Sequence, residues 1–172
     1  MLEKIKWNDF IKIISPQYYV LFVTSDGTNT NLTGISWFTI VSWDPPMVII
    51  SIRNSRYGYE LVKKNPEFVV CFPSEEQIVP AEMCGRKSGR DVDKVAEGKF
   101  ELLPAAKVKV PLIADSTACL ECVLKNEVIA GDHVILLAEV VECHGDFNLA
   151  KHVYTTGYTE FYSLDYSGPE SE

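Results

Sequence analysis

The chain has 172 residues, 47% hydrophobic and 23% charged, with a formal net charge of −8, which suits one domain with a buried core. That acidic balance excludes general binding to nucleic acid or anionic membranes, which needs an electropositive face, and no apolar run reaches the roughly 18 residues of a membrane span. Charged residues between Met1 and Asp9 stand where a signal peptide needs its apolar segment, so a cytoplasmic location is expected.

In chain order, residues 3–13 predict a short amphipathic helix that turns Ile5, Phe10 and Ile13 toward a core. Residues 18–25 are β-branched and aromatic and end at the Asp26-Gly27 turn signal, so they read as a strand. A second strand is expected over 32–41, closed by the Trp43-Asp44-Pro45-Pro46 corner, because paired prolines cannot continue a ladder. The mainly apolar run 47–52 predicts a strand buried on both faces.

Residues 56–64 predict a helix that stops at Asn65-Pro66, followed by a strand over 67–72. Short helices and loops are expected over 75–97, then a strand-like piece at 99–103 and a linker between Pro104 and Pro111. The clearest hairpin runs over 117–128 and 134–143, with its turn at Gly131-Asp132. The tail from Phe147 mixes aromatic and polar residues, and disorder is expected over the last six or so.

Short strands separated by turns, with helices only in the connections, indicate a mainly β fold, a barrel or sandwich. The pattern is not a repeating βαβ, and no Gly-x-Gly-x-x-Gly follows a strand. A closed barrel protects strand edges better than a small open sheet.

The cysteines at 71, 84, 119, 122 and 143 are odd in number and are read as reduced thiols. Cys119 and Cys122 form a Cys-x-x-Cys inside a predicted strand, where their opposite parity sends them to opposite faces. Redox or zinc chemistry through that motif is therefore not expected. Cys84 reads as a small buried residue. His133 reads as a turn residue, while His144 and His152 lack partners at metal or triad spacing. Glu75, Glu76 and Glu82 read as solvated charges.

Three segments have the makings of one site. Residues 29–37 are dense in small polar side chains, including Asn31, Thr33 and Ser36, and end at Trp37. They could offer amides and carbonyls to a flat heteroaromatic ligand, or simply form a turn entering a strand. Residues 51–57 carry Ser51, Arg53, Ser55, Arg56 and Tyr57 at the mouth of an apolar strand. That is a phosphate dock or a surface arginine pair before a helix. Residues 84–94 set Arg86, Lys87, Arg90 and Lys94 around Ser88-Gly89. Local positive charge on an acidic protein points to a phosphate rather than a polyanion; the alternative is a solvated loop.

In their order and spacing, residues 21–25, 31–37, 42–46, 51–56 and 88–94 resemble the flavin reductase-like family. So do Leu120-Glu121-Cys122 and Gly131-Asp132-His133. The likeness covers about residues 15–165 of a single domain spanning 1–172. It implies an FMN-binding split β-barrel of Greek-key type, with flavoredoxins and ferric reductases among its relatives. By similarity, Asn31, Thr33, Ser36 and Trp37 line the isoalloxazine and ribityl portion, and Ser51, Arg53 and Arg56 approach the ribityl-phosphate. Lys87, Ser88 and Lys94 close over the phosphate from the other side.

The family often has threonine where this chain has Gly58, so a hydroxyl ligand is missing there. Val95 stands where an aromatic is common, a packing difference. The implied activity is hydride transfer from NADH or NADPH to FMN, then electron transfer to free flavin, a metal complex or a protein. The alternatives are a flavoredoxin-like electron carrier without NAD(P)H activity and a non-redox split-barrel binder of haem or another phosphorylated ligand. No catalytic side chain and no metal are expected, because the flavin carries the chemistry. A homodimer is implied, and Trp7, Trp37, Trp43 and the Tyr154/Tyr158/Phe161/Tyr162 cluster offer more aromatic surface than a small barrel core needs.

Overall fold

Alternating side chains along antiparallel strands build this molecule, seen here in a computed structural model that describes residues 1–146, 151–156 and 160–165. The N-terminal helix is α1 (Trp7–Ile13), followed by β1 (Gln17–Tyr18), β2 (Val20–Ser25), β3 (Thr30–Ile35), β4 (Phe38–Trp43) and β5 (Pro46–Arg53). Helix α2 (Tyr57–Lys64) leads to β6 (Glu67–Phe72). A 3-10 turn at Glu75–Gln77 opens the helical segment of α3 (Ile78–Arg86) and α4 (Lys94–Gly98). The short β7 (Leu102–Leu103) and β8 (Leu112–Ile113) follow. The long hairpin β9 (Ala118–Ala130) and β10 (His133–Gly145) comes next, then β11 (Lys151–Thr155) and β12 (Phe161–Asp165).

Seven strands form one sheet in the order β3-β2-β6-β9-β10-β5-β4. Every strand of that sheet sends side chains into one shared core, including Phe22, Phe38, Ile50, Phe68, Cys122 and Leu136. The sheet is therefore curled around its own interior. It does not close by a ladder: edge strands β3 and β4 are successive in the chain and separated only by Ser36-Trp37. β6 returns to lie beside β2 after β3, β4 and β5 have passed around the curl, a Greek-key connection. The fold is a split β-barrel.

A second core lies outside the barrel, where Leu21, Val23, Leu32, Val69 and Cys71 meet Ala81 and Cys84 of α3. Helices and the small β7-β8 sheet thus cover the outside of the β3-β2-β6-β9 half. Cys119 belongs to this outer core and Cys122 to the barrel interior, the opposite faces that their parity requires.

Several sequence expectations change. The expected strand over 32–41 is two strands, because the chain steps from one sheet edge to the other at Ser36-Trp37. The proline corner makes a tight turn in which Trp43 pairs with Pro46, with a cis Asp44-Pro45 bond, so it joins a hairpin. β5 is not buried on both faces. Val48, Ile50 and Ile52 point inward, while Met47, Ile49 and Ser51 lie half-covered on the outer face.

α1 is shorter than expected and buries nothing. Phe10 and Ile13 are 40% and 68% exposed, and Ile5 lies outside the helix. Seven residues without a side-chain cap cannot hold a helix against a core on their own. Strands β11 and β12 come from the tail, and Tyr154 stacks on Tyr18 and Tyr162 at 5.3 and 6.2 Å. Tyr158 and the C-terminal six lie outside the described residues.

Candidate functional site

The step between the sheet edges makes the first half of the site. Trp37 leaves β3, and its carbonyl accepts a 2.9 Å hydrogen bond from the Ser51 amide, which pins this backbone to β5. The β5-β10 register sets His133 opposite Arg53, and the His133 ring lies 4.7 Å from that of Trp37. Asp132 stands 3.8 Å from Arg53 and 2.7 Å from His133 Nδ1. The hydrogen bond from His133 holds the Asp132 carboxyl below its usual range. An ionised carboxylate only accepts, so His133 donates through Nδ1. Trp37, Ser51, Arg53 and His133 wall a cavity of about 480 Å³ that also takes in Tyr19, Ser36, Arg56 and Thr155. The Tyr19 hydroxyl donates to Ala81 O at 3.1 Å, and burial pushes its phenol above the ordinary range.

The second half is cationic. A cavity of about 250 Å³ is lined by Asn31, Thr33, Arg53, Arg56, Lys87, Ser88 and Lys94, with Tyr57 and Gly89 beside them. Arg53 and Arg56 line both cavities, so the two spaces meet at the arginines. All ten residues singled out in the sequence line one space or the other. His133 and Tyr19 join them without having been singled out. For His133 the signal was available, since pairing the Gly131-Asp132-His133 hairpin against the strand before Arg53 brings it there.

The cations differ in what they already hold. Lys87 is paired with Glu97, Arg86 with Glu82, and Arg90 with Glu60. Arg90 also lies over the Tyr57 ring, 5.3 Å from its centroid. Arg56 has no ion-pair partner among the described residues. Lys94 is only 3% exposed, an unusual position for a lysine. It opens α4 behind the Asp93 cap, and its Nζ donates to Leu32 O at 2.7 Å and Cys84 O at 2.8 Å. Burial holds its ammonium down to about 8. One of its three N–H donors remains for a third partner.

Asn31 donates through Nδ2 to Thr33 Oγ1 at 3.1 Å, but its Oδ1 is buried with no hydrogen-bond partner among the described residues. Leaving such an acceptor unmet costs about 1–3 kcal/mol, which a ligand hydroxyl or amide would relieve. Gly89 allows the basic loop to sit this close, for a β-carbon there would lie 1.9 Å from Asn31 Oδ1. Gly58 has a similar cause: a β-carbon would stand 2.9 Å from Thr33 Oγ1. Thr33 already places a hydroxyl in that corner. An aromatic-walled space joined through arginines to a cationic one, with an unmet acceptor on the cationic side, fits a planar heteroaromatic carrying a phosphorylated tail.

A family model, the flavin reductase like domain, matches residues 16–161. The chain is 32% identical over 130 residues to an uncharacterized protein of Pyrococcus abyssi, covering 76% of this chain and 74% of that one. It is 28% identical over 120 residues to the NADH-dependent flavin reductase StyB of Pseudomonas fluorescens, covering 70% and 65%. The solved flavoredoxin of Methanosarcina acetivorans superimposes with a TM-score of 0.82 at 26% identity, over 97% of this chain and 95% of that one. With the split barrel and the paired cavities already in place, these matches show that the chain belongs to the flavin reductase-like family.

Proposed function

We propose that this chain is an oxidoreductase that binds FMN, which when bound takes a hydride from NADH or NADPH and passes electrons to free flavin, a metal complex or a protein acceptor. The observation that carries the reading is the junction of an aromatic and a cationic cavity at Arg53 and Arg56, where Arg56 lacks an ion pair among the described residues. Ser36 and Trp37 would border the ring, and Asn31 and Thr33 the ribityl hydroxyls, with Asn31 Oδ1 gaining its missing donor. Ser51, Arg53 and Arg56 would approach the phosphate from the strand side. Lys87, Ser88 and Lys94 would close it from the loop side, through charge-assisted hydrogen bonds.

His133, oriented by Asp132, and Trp37 would keep one wall of the ring space dry and rigid. The Tyr19 hydroxyl is committed to Ala81 and moves no proton. Mixing the protein with FMN, removing unbound ligand and recording the visible spectrum tests the reading. Flavin bands at about one per chain support it, and a colourless protein refutes a tight FMN site. NADH and NADPH turnover then identifies the donor.

A second reading is favoured by the resemblance to the Methanosarcina acetivorans flavoredoxin. On this reading the chain is an FMN electron carrier that binds flavin equally well and oxidises NAD(P)H negligibly without a partner.

The exposed apolar side chains favour a homodimer. Ile40, Val41 and Trp43 are 60%, 46% and 90% exposed, and Trp7 and Ile13 of α1 are 67% and 68% exposed. Apolar surface of this kind marks an interface. Sedimentation equilibrium should give twice the 19.3 kDa chain mass, and Trp43→Asp should shift the population toward monomer. A wild-type protein that stays monomeric at micromolar concentration would refute the dimer.

A further inference from the structure

Two cysteines far apart in the sequence face each other in the outer core. Strands β6 and β9 pair in a register that sets Cys71 directly opposite Cys119, and their sulfurs are 2.8 Å apart. Directly opposed residues of an antiparallel pair have Cα atoms about 4.5–5.5 Å apart, inside the span that a disulfide bridges. Closing from that contact to a bond of about 2.05 Å requires less than about 1 Å of sulfur movement. The neighbouring strand β2 places Leu21 beside Cys71. Val69, Val110 and Ile113 belong to the same core, and among the described residues no cluster of His, Cys, Asp or Glu that could hold a metal ion takes in either thiol. Cys122 points into the barrel on the other side of the sheet and cannot compete.

We propose that Cys71 and Cys119 are a redox pair that closes to a cross-strand disulfide by exchange with a small-molecule disulfide such as glutathione disulfide. One sulfur, having lost its proton, attacks the small disulfide and releases one thiol. The other then attacks the mixed bond and releases the second. Two electrons pass from the cysteine pair to the small disulfide, and the two protons leave on the released thiols. Both sulfurs are buried, with Cys71 and Cys119 at 0% and 4% exposure, so the bond forms as the sheet assembles or opens rather than on the closed surface.

The link joins positions 48 residues apart and encloses α3, α4 and the loop bearing Lys87, Ser88 and Lys94. It therefore fastens both ends of the cationic wall to the barrel. A loop of this length removes much chain freedom from the unfolded state.

The test refolds the full chain, in a Cys143→Ser background that removes the exposed thiol, with excess glutathione disulfide. Remaining thiols are then alkylated under denaturing conditions and the protein is digested. The expected product is about 2 Da lighter than the dithiol form. Fragmentation should place the link at Cys71 and Cys119, not at Cys84 or Cys122. The midpoint of thermal unfolding should rise by about 5–15 °C and fall back on reduction. In Cys71→Ala that rise should vanish. If this variant fails to fold, the mass measurement on the parent decides alone. Free alkylated thiols at both positions, stable glutathione adducts there, or a link to another cysteine would overturn the proposal.

Discussion

The two halves of the site differ in how far their polar groups are already committed. Around the aromatic cavity, Tyr19 is bonded to Ala81, and His133 to Asp132, which leans toward Arg53. These groups shape a wall. In the cationic cavity, Lys87 and Arg90 are tied to glutamates, whereas Arg56 has no ion pair among the described residues and Lys94 keeps one donor. The lesson is that a count of basic residues overstates anion affinity. What matters is which cations remain uncompensated after folding.

Gly89→Ala tests the difference most severely. Its new β-carbon would press on Asn31 Oδ1 and, at 3.0 Å, on Tyr57, lifting the loop that holds Lys87 and Ser88. Losing two charge-assisted contacts should weaken FMN binding by at least about 100-fold in equilibrium titration. An unchanged affinity would separate the loop from the ligand. Arg56→Ala should weaken FMN by about 10- to 150-fold, the worth of one contact to a charged group. If Arg56 only positions the phosphate, turnover at saturating FMN should barely move.

Lys94 gives a test through pH. Its ammonium titrates near 8 in the protein, against the ordinary lysine value of 10.5, because burial disfavours the charged form. The unfolded chain therefore holds more protons between about pH 8 and 10.5. Stability without ligand should rise across that window, with the penalty of the buried charge fully present below 8. FMN affinity should move the opposite way: flat below about 8, then falling by up to about tenfold per pH unit as the ammonium is lost. Lys94→Met should abolish both slopes. Parallel slopes, or none in the parent, would remove Lys94 from the phosphate site.

Lys87→Ala should have the smallest effect. Its ion pair with Glu97 is 46% and 39% exposed on its two sides, and such pairs contribute about 0–1 kcal/mol. Less than about a fivefold loss of affinity is expected. A loss matching that of Arg56→Ala would show that Lys87 leaves Glu97 for the ligand.

Much of this was legible in the sequence where the signal is local. Residues 67–72 form a strand as their β-branched run requires, and the hairpin turns at Gly131-Asp132. Cys119 and Cys122 part to opposite faces because strand periodicity is two. The ten residues that line the two cavities were reachable because they cluster in three segments that the resemblance also singled out. Other features were hidden. No proline marks the change of sheet edge at Ser36-Trp37, and the β-prone residues run on through it from 32 to 41. The tail was not read as β11 and β12, because β11 depends on pairing with distant β1. The apolar stripe of α1 promised a core that this chain does not place behind it.

Residue types and their order by themselves determined an acidic, mainly β chain with a basic loop, an arginine pair and a polar strand entrance. Tertiary structure decided how those groups are used. Arg90 meets Glu60 across 30 positions, and Lys94 meets Leu32 across 62. Cys71 meets Cys119 across 48. Strand periodicity is written in neighbouring residues, but charge compensation and sulfur proximity depend on partners that only the curled sheet brings together.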